Sequence, residues 1–154
     1  MQKKHPRLAF WLTVTPAALG SALAVYHLFE VARTIANPDY TAMLGGFAGG
    51  VYLIFDYFAM SLPICLLLFA ALLMNILWSH SLSKAWSVTA LASCAVFLIC
   101  GILIIIDSSG ILAVSLNLAM RTIAESVTAI MLVHSLTQKT AVALSANDNP
   151  PLAE

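Results

Sequence analysis

The stretch from Val51 to Ser79 reads VYLIFDYFAMSLPICLLLFAALLMNILWS, and Asp56 is its one charged residue. A helix needs about 20 predominantly apolar residues to cross the hydrocarbon core of a bilayer, and this stretch exceeds that length. An uninterrupted run of this kind is typical of a segment surrounded by lipid rather than of one face of a soluble domain. The stretch therefore predicts a transmembrane helix.

The rest of the chain has the same character. Of its 154 residues, 61% are hydrophobic and 9% are charged, whereas soluble domains carry about 25% charged residues. The apolar residues fall into four blocks: Leu8 to Val31, Ala42 to Ser79 (which contains the crossing), Ala85 to Ile106, and Ile111 to Leu136. We therefore predict an all-α integral membrane bundle of four transmembrane helices over residues 1–136. Residues 137–154, which include Asn149-Pro150-Pro151, are predicted to form a disordered cytoplasmic tail.

The first block follows a basic segment, Gln2 to Arg7, so a cleavable signal peptide is an alternative reading. The apolar run is longer than the roughly 7 to 15 residues of a signal-peptide core. A retained first helix is therefore predicted, with a stop at Asn37-Pro38, because proline disfavours a helical conformation in the residue before it.

The second block begins with two overlapping Gly-x-x-x-Gly patterns, formed by Gly45, Gly46, Gly49 and Gly50. Such glycines allow two helix backbones to approach closely in a membrane, so we predict that they pack against a neighbouring helix. An irregular segment at the membrane interface is the alternative. Pro63, inside the same block, is predicted to kink the helix because it has no amide hydrogen.

The basic residues outside the apolar core are distributed unequally. One predicted face has Arg33, and the opposite face has Lys3, Lys4, Arg7, Lys84 and Lys139. The positive-inside rule then places both termini in the cytoplasm of a bacterial inner membrane protein. Segments Asn37 to Tyr40 and Asp107 to Gly110 are predicted to face outward.

Several classes of function lack the sequence features they require. No cluster of basic residues could neutralise a run of phosphates, so nucleic acid is not an expected partner. Cys65, Cys94 and Cys100 lie in apolar stretches without a Cys-x-x-Cys pair, which predicts buried free thiols. No catalytic residue, metal site or cofactor site is expected, and the chain is predicted not to be an enzyme.

Ionisable residues at membrane depth are the candidates for function, because burying each costs about 2.5 to 3.5 kcal/mol on insertion scales. Arg121 and Glu125 lie near the middle of the fourth helix, four residues apart and therefore on one face. A mutual ion pair that fixes the helix register is the favoured reading, with Glu30 or Asp56 as a further member. A polar cavity for an ion, a proton or an anionic headgroup is the alternative.

The other candidates are predicted to lie nearer the outer surface. Glu30 and Asp56 are interpreted as interfacial anchors, and His27 is placed near the outer end of the first helix. Because His80 and His134 lie near the inner surface, His27 has no predicted histidine partner for axial ligation of a haem. A b-type haem carrier is therefore the least favoured function.

One stretch resembles a known family. The run Ala36-Asn37-Pro38-Asp39-Tyr40, an aromatic residue near Tyr52, and Pro63 about a turn and a half after Asp56 resemble domain-of-unknown-function family 2975. The resemblance covers Val31 to Ile106, about half of the chain. The link between the second and third helices looks shorter in this chain than in that family. It implies a bacterial four-helix membrane protein and, from a small helix-turn-helix regulator thought to be encoded beside some members, a regulatory partner. It implies no functional residue.

Three functions remain from the sequence. The favoured one is an accessory or regulatory subunit, without catalytic activity, that associates in the lipid bilayer with a membrane-protein partner or with further copies of itself. The second is a small transporter or ion-binding protein that uses Arg121 and Glu125. The third is the haem carrier. The comparison with small multidrug exporters is weakened because Glu30 lies at the end of its helix rather than at the centre.

Overall fold

A computed structural model describes residues 6–37, 39, 46–106 and 111–148. The described chain is almost entirely helical, and its elements follow one another as α1 (Pro6–Ile35), α2 (Gly46–Asp56), α3 (Leu62–Met74), α4 (Lys84–Ile106) and α5 (Ile111–Asp148). Two short π-helical segments, Tyr57–Ser61 and Asn75–Ser79, follow α2 and α3. Because α2 continues through the first of these segments into α3, the two helices form one long rod.

Four of the described segments are long and apolar enough to cross a membrane: Arg7–Ile35, Phe47–Trp78, Lys84–Ile106 and Val114–Lys139. The predicted four-helix membrane bundle is thereby confirmed. In this bundle α1 packs against α3 and α5, and α4 packs against the same two helices. Many large apolar side chains face outward from every helix, as expected of a surface in contact with lipid.

The rod formed by α2 and α3 has a wide turn just before Pro63. The backbone N–H of Leu62 donates to the carbonyl of Tyr57, five residues earlier, which is the pairing of a π-helix. Pro63 then occupies the first turn of α3, where the lack of an N–H is tolerated. A π turn thus lies on the N-terminal side of Pro63, and the kink predicted at this proline stays a prediction.

The rod ends in a second wide turn. The N–H of His80 donates to the carbonyl of Asn75 at 2.9 Å, and His80 adopts a left-handed conformation with φ of 45°. Asn75 then fastens the short link to α4, because its Oδ1 accepts from Leu82 N at 2.8 Å and its Nδ2 donates to Ser87 Oγ at 2.9 Å. This end of the bundle is held by directed hydrogen bonds.

Two apolar clusters fill the interior. The larger joins all four crossings through Ala17, Ala24, Ile64, Cys65, Leu68, Ala71, Leu82, Trp86, Ala90, Cys94, Phe97 and Leu132. The smaller lies toward the ends that carry Ile106 and Gly46 and contains Leu53, Tyr57, Ile104 and Val114. The three cysteines are free and buried, as the sequence predicted.

The last helix is longer than predicted. The sequence placed its end at Leu136 and a disordered tail over 137–154, but α5 continues to Asp148. The prediction was wrong for residues 137–148, which contain neither glycine nor proline and are rich in good helix formers such as alanine and leucine. Residues 149–154 lie outside the described part of the chain.

The structure describes the burial of two of the four glycines in the second block. Gly49 and Gly50 are buried on α2, as packing against a neighbouring helix requires. Gly45 lies outside the described residues, and Gly46 begins α2. Packing by the full Gly-x-x-x-Gly pattern therefore stays a prediction.

Gly101 is the glycine whose missing side chain the packing needs most. A Cβ at this position would lie 2.5 Å from the Tyr57 hydroxyl oxygen and 2.7 Å from its Cζ. We expect Gly101→Ala to lower the free energy of unfolding by about 1 to 3 kcal/mol, since Tyr57 must move inside a filled interior.

Unfolding in detergent mixed with increasing SDS, followed by circular dichroism, measures this loss. Gly20→Ala is the matched control, because a Cβ there would meet Leu67 Cβ at 3.2 Å, so a shift of a few tenths of an ångström would suffice, and we expect a smaller loss than from Gly101→Ala. Equal stability of Gly101→Ala and the native chain would show that Tyr57 is not confined by α4.

Candidate functional site

The centre of the bundle contains a histidine held between two carboxylates. His27 Nδ1 on α1 lies 2.7 Å from Glu125 Oε2 and 2.8 Å from Glu125 Oε1 on α5. His27 Nε2 lies 3.0 Å from Asp56 Oδ1, at the end of α2. Both ring nitrogens therefore face an acidic side chain.

An arginine extends this arrangement. Arg121 Nη1 on α5 lies 2.7 Å from Asp56 Oδ2 and donates to Ser61 Oγ at 2.5 Å. The guanidinium carbon also lies 5.9 Å from the centre of the Tyr57 ring, within cation–π range. Glu125, His27, Asp56 and Arg121 thus form one chain of contacts across three crossings, which we name the ionisable cluster.

The side chains of the ionisable cluster are almost completely buried inside the bundle. The side chains of Arg121 and Glu125 have an exposed fraction of 0%, His27 has 1% and Asp56 has 9%. At such burial a charge without a partner costs several kcal/mol, so breaking one of these contacts is expected to destabilise the bundle. Asp56 is the member with the most accessible surface.

The π turn after α2 explains how one helix supplies two contacts to Arg121. Residues five apart on an α-helix point in directions about 140° different, since each residue turns the helix by about 100°. The wider turn over Tyr57–Ser61 reduces that difference, so Asp56 and Ser61 both reach the guanidinium. The local irregularity therefore positions the site.

The polar residues of the fourth crossing are regularly spaced along α5. Asn117, Arg121, Glu125 and Thr128 follow one another at intervals of four, four and three residues and are all buried. This spacing places them on one face of α5, which points into the bundle. Thr128 continues the polar stripe through a short hydrogen bond between its hydroxyl and that of Ser93.

The helix boundaries account for the depth of His27 and Asp56. The sequence placed both near the outer surface, whereas α1 continues to Ile35 and α2 already begins at Gly46. α1 ends close to the stop predicted at Asn37-Pro38, but it runs about 6 Å beyond the end of the first apolar block at Val31, and α2 begins about 7.5 Å before the predicted start of the crossing at Val51, at about 1.5 Å per residue. Both side chains consequently lie at the level of Arg121.

Two assignments made from sequence are corrected here. Arg121 pairs with Asp56, whereas the sequence favoured Glu125 as its partner; Glu125 instead pairs with His27. Asp56 is also not an interfacial anchor, because its carboxylate lies inside the bundle. The inward orientation of Arg121 agrees with the energetic argument from its depth, since it is fully buried.

Glu30 behaves as an exposed residue. Its side chain is 37% exposed and lies 3.9 Å from Arg33 Nη1, and Arg33 is 76% exposed. A pair of this kind contributes about 0 to 1 kcal/mol. Glu30 is therefore separate from the ionisable cluster, and the anchoring role predicted for it stays a prediction.

The sequence missed three contributors to the site. Ser61 accepts from Arg121, Tyr57 offers its ring, and Asn117 donates through Nδ2 to the carbonyl of Cys100 at 2.9 Å. Asn117 could have been found from its spacing of four residues before Arg121 on α5. The contacts of Ser61 and Tyr57 with Arg121 depend on the π turn, which no sequence pattern predicted.

Metal and haem binding find little support in the arrangement of the described side chains. No group of three or more His, Cys, Asp or Glu residues there has a geometry that could hold a metal ion. Both ring nitrogens of His27 are engaged by carboxylates, which leaves neither free as an axial haem ligand. His134 is exposed and pairs with Gln138 at 2.9 Å.

Comparison with protein-family models, curated proteins and solved structures finds no match to this chain. The resemblance of Val31 to Ile106 to domain-of-unknown-function family 2975 therefore stays a prediction. The function has to be argued from the ionisable cluster itself.

Proposed function

We propose that this chain is a small membrane transporter or ion-binding protein whose ionisable cluster binds and releases one proton. The observation that carries the proposal is the position of His27, with Glu125 at one ring nitrogen and Asp56 at the other. A neutral imidazole has a single N–H, so it can donate to only one of two carboxylates. One additional proton allows both contacts to be hydrogen bonds.

The charge balance supports the same assignment. With both carboxylates ionised and Arg121 cationic, the ionisable cluster carries one net negative charge when His27 is neutral. A proton on His27 brings the sum to zero, which is the favoured state in a low-dielectric interior. Release of that proton leaves one negative charge, which a monovalent cation entering the site would neutralise.

This balance is the physical basis for coupling a proton to a second solute. A site that is neutral only when it holds a proton or a cation binds the two in competition, because holding both would bury a net charge. Arg121 fixes the balance, since its guanidinium cannot lose its proton in a protein. His27 is the proton carrier, and Asp56 and Glu125 orient its ring.

The accessory-subunit hypothesis stays a prediction. Arg121 does not require an acid from a partner protein, because Asp56 of the same chain supplies one. Association with a membrane partner or with another copy is compatible with proton binding, but no described residue favours a specific partner. The absence of catalytic activity is likewise an expectation from sequence.

A pH jump measures proton binding directly. Proteoliposomes adsorbed on a solid-supported membrane should give a transient current when external pH is changed without any other solute, because a proton then enters or leaves a site inside the membrane. We expect His27→Gln to abolish this current for pH jumps between neutral and alkaline values, a range in which both carboxyls stay ionised. His134→Gln, which alters an exposed histidine paired with Gln138, should leave it unchanged.

A current that survives in folded His27→Gln protein would overturn the proposal. Folding is checked by circular dichroism and by gel filtration in detergent. Addition of monovalent cations at constant pH then tests competition, and a native current reduced by one cation identifies the second solute.

We place the protein in the inner membrane of a bacterium with both termini in the cytoplasm. The support is the distribution of Lys and Arg between the two faces. In a chain whose three native cysteines are replaced, Asp39→Cys should react with a membrane-impermeant maleimide on intact cells, and Gln138→Cys should react only after lysis. Both positions are exposed, so access alone decides the result. The opposite labelling pattern would invert the topology.

A further inference from the structure

Buried polar atoms without a hydrogen-bond partner occur beside the ionisable cluster. Arg121 Nε, Arg121 Nη2 and Asn117 Oδ1 are all fully enclosed and make no hydrogen bond with another described group. The two residues have exposed fractions of 0% and 2%. An unpaired buried donor or acceptor costs about 1 to 3 kcal/mol, and more when the group is charged. A native bundle is therefore expected to supply these atoms with a ligand.

The three atoms belong to neighbouring positions. Asn117 and Arg121 are four residues apart on α5, which places their Cβ atoms about 5 to 6 Å apart on one face. The Nε–H and one N–H of Nη2 point in parallel from the same edge of the guanidinium plane. Arg121 uses Nη1 for Asp56 and Ser61, and Nε and Nη2 make no hydrogen bond with another described residue.

We propose that Arg121 and Asn117 form a water-binding subsite beside the ionisable cluster. The free atoms are donors on Arg121 and an acceptor on Asn117, so they fit a ligand that both accepts and donates hydrogen bonds. Water is the smallest such ligand, and buried waters bind where about three polar partners converge. Nδ2 of Asn117 is occupied by the Cys100 carbonyl, which keeps Oδ1 as the acceptor.

Charge also favours a neutral occupant. A carboxylate or phosphate would fit the free edge of Arg121 by geometry. It would, however, add a negative charge next to Asp56 and Glu125, and it could not donate to Asn117 Oδ1. The groups in contact with Arg121 or Asn117 are Asp56, Tyr57 and Ser61 on the rod and Cys100 on α4.

The subsite extends the proposed function and its role rests on that function. A water held by Arg121 lies beside the guanidinium that contacts Asp56, so an exchangeable proton is kept within the buried layer. The existence of the water does not depend on proton transport, and it can be measured at one fixed pH.

The chain offers a selective probe, since its arginines are Arg7, Arg33 and Arg121. A protein with Arg7→Lys and Arg33→Lys, labelled with ¹⁵N-arginine and placed in lipid bilayers, has Arg121 as its one labelled guanidinium. Solid-state NMR then measures magnetisation transfer from water to Nε and Nη. We expect transfer to Nε of Arg121, and we expect Asn117→Leu to abolish it.

The outcomes separate water from other occupants and from dry packing. Lack of transfer to Nε in protein with native Asn117 would overturn the subsite, and so would transfer that is unchanged in Asn117→Leu. Titration with sodium formate adds a third result: loss of the water signal together with a shift of Nε would assign the edge to an oxyanion and overturn water as its ligand. If transfer is present but the pH-jump current is absent, the subsite stands and the proposed proton function fails.

Discussion

Replacing Arg121 with leucine is expected to lower the free energy of unfolding by about 3 to 5 kcal/mol, the cost of removing one member of a buried ion pair. Asp56 would keep its charge but lose the contact of Oδ2 with Arg121 Nη1 at 2.7 Å. The remaining cluster would hold two carboxylates against one imidazolium. Unfolding by SDS in mixed micelles, followed by circular dichroism, measures the loss.

The partner of Arg121 can be identified by double-mutant cycles. We expect Arg121→Leu with Asp56→Leu to recover much of the lost stability, because the remaining His27 and Glu125 can form a neutral pair. The coupling energy of Arg121 with Asp56 should exceed that with Glu125, since the direct contact is made with Asp56. Equal or inverted coupling energies would contradict the pairing described here.

Arg33→Leu is the matched control for charge removal. Arg33 is 76% exposed and lies 3.9 Å from Glu30, so its loss should change stability by no more than about 1 kcal/mol. A similar loss from Arg33→Leu and Arg121→Leu would show that the ionisable cluster is not the source of the effect.

The sequence predicted the four crossings well because their signal is a sum over many residues. Each crossing contains a long apolar window, and a few misplaced residues change neither its length nor its character. The ends of the helices depend on few residues, and the start of the second crossing and the end of the fourth helix were less accurate. The depth assigned to His27 and Asp56 was measured from Val31 and Val51, and the helices extend beyond both residues.

The sequence predicted which ionisable residues form the candidate site, but not which of them pair with one another. Arg121 and Glu125 were chosen from their spacing, which is local information on one helix. The contact of His27 with Glu125 joins residues 98 positions apart, and that of His27 with Asp56 joins positions 29 apart. Such contacts depend on how helices rotate against one another. The π turn before Pro63 changes that rotation for everything that follows it in the rod.

The two sides of the ionisable cluster differ physically. The larger apolar cluster fills the half of the bundle nearer the link between α3 and α4, with residues such as Phe97, Leu68 and Trp86. The smaller apolar cluster lies on the other side, toward the helix ends that carry Ile106 and Gly46. Asp56, the most accessible member of the ionisable cluster, lies on the rod near Tyr52, which is half-buried. Under the proposed function we therefore expect a proton to reach the cluster past the smaller apolar cluster.

His27→Leu is expected to lower the free energy of unfolding at neutral pH by about 3 to 5 kcal/mol, as for other unpaired buried charges. Asp56 and Glu125 would then share one guanidinium, and Glu125 would lose its contacts of 2.7 and 2.8 Å with His27 Nδ1. The net charge of the ionisable cluster would be negative by one unit. Mild acidification should restore part of the stability, because protonation of one carboxyl removes that charge.

The compensating variant separates charge from packing. His27→Leu with Glu125→Leu leaves the Arg121–Asp56 pair, whose charges sum to zero, so it should be more stable at neutral pH than His27→Leu alone. Its stability should also lose the acid dependence of the single variant. His134→Leu serves as the control, since His134 is exposed and contacts Gln138 outside the cluster. If the double variant is less stable than the native chain by the sum of the two single losses, Glu125 and His27 are not coupled, and the one-proton balance of the site is wrong.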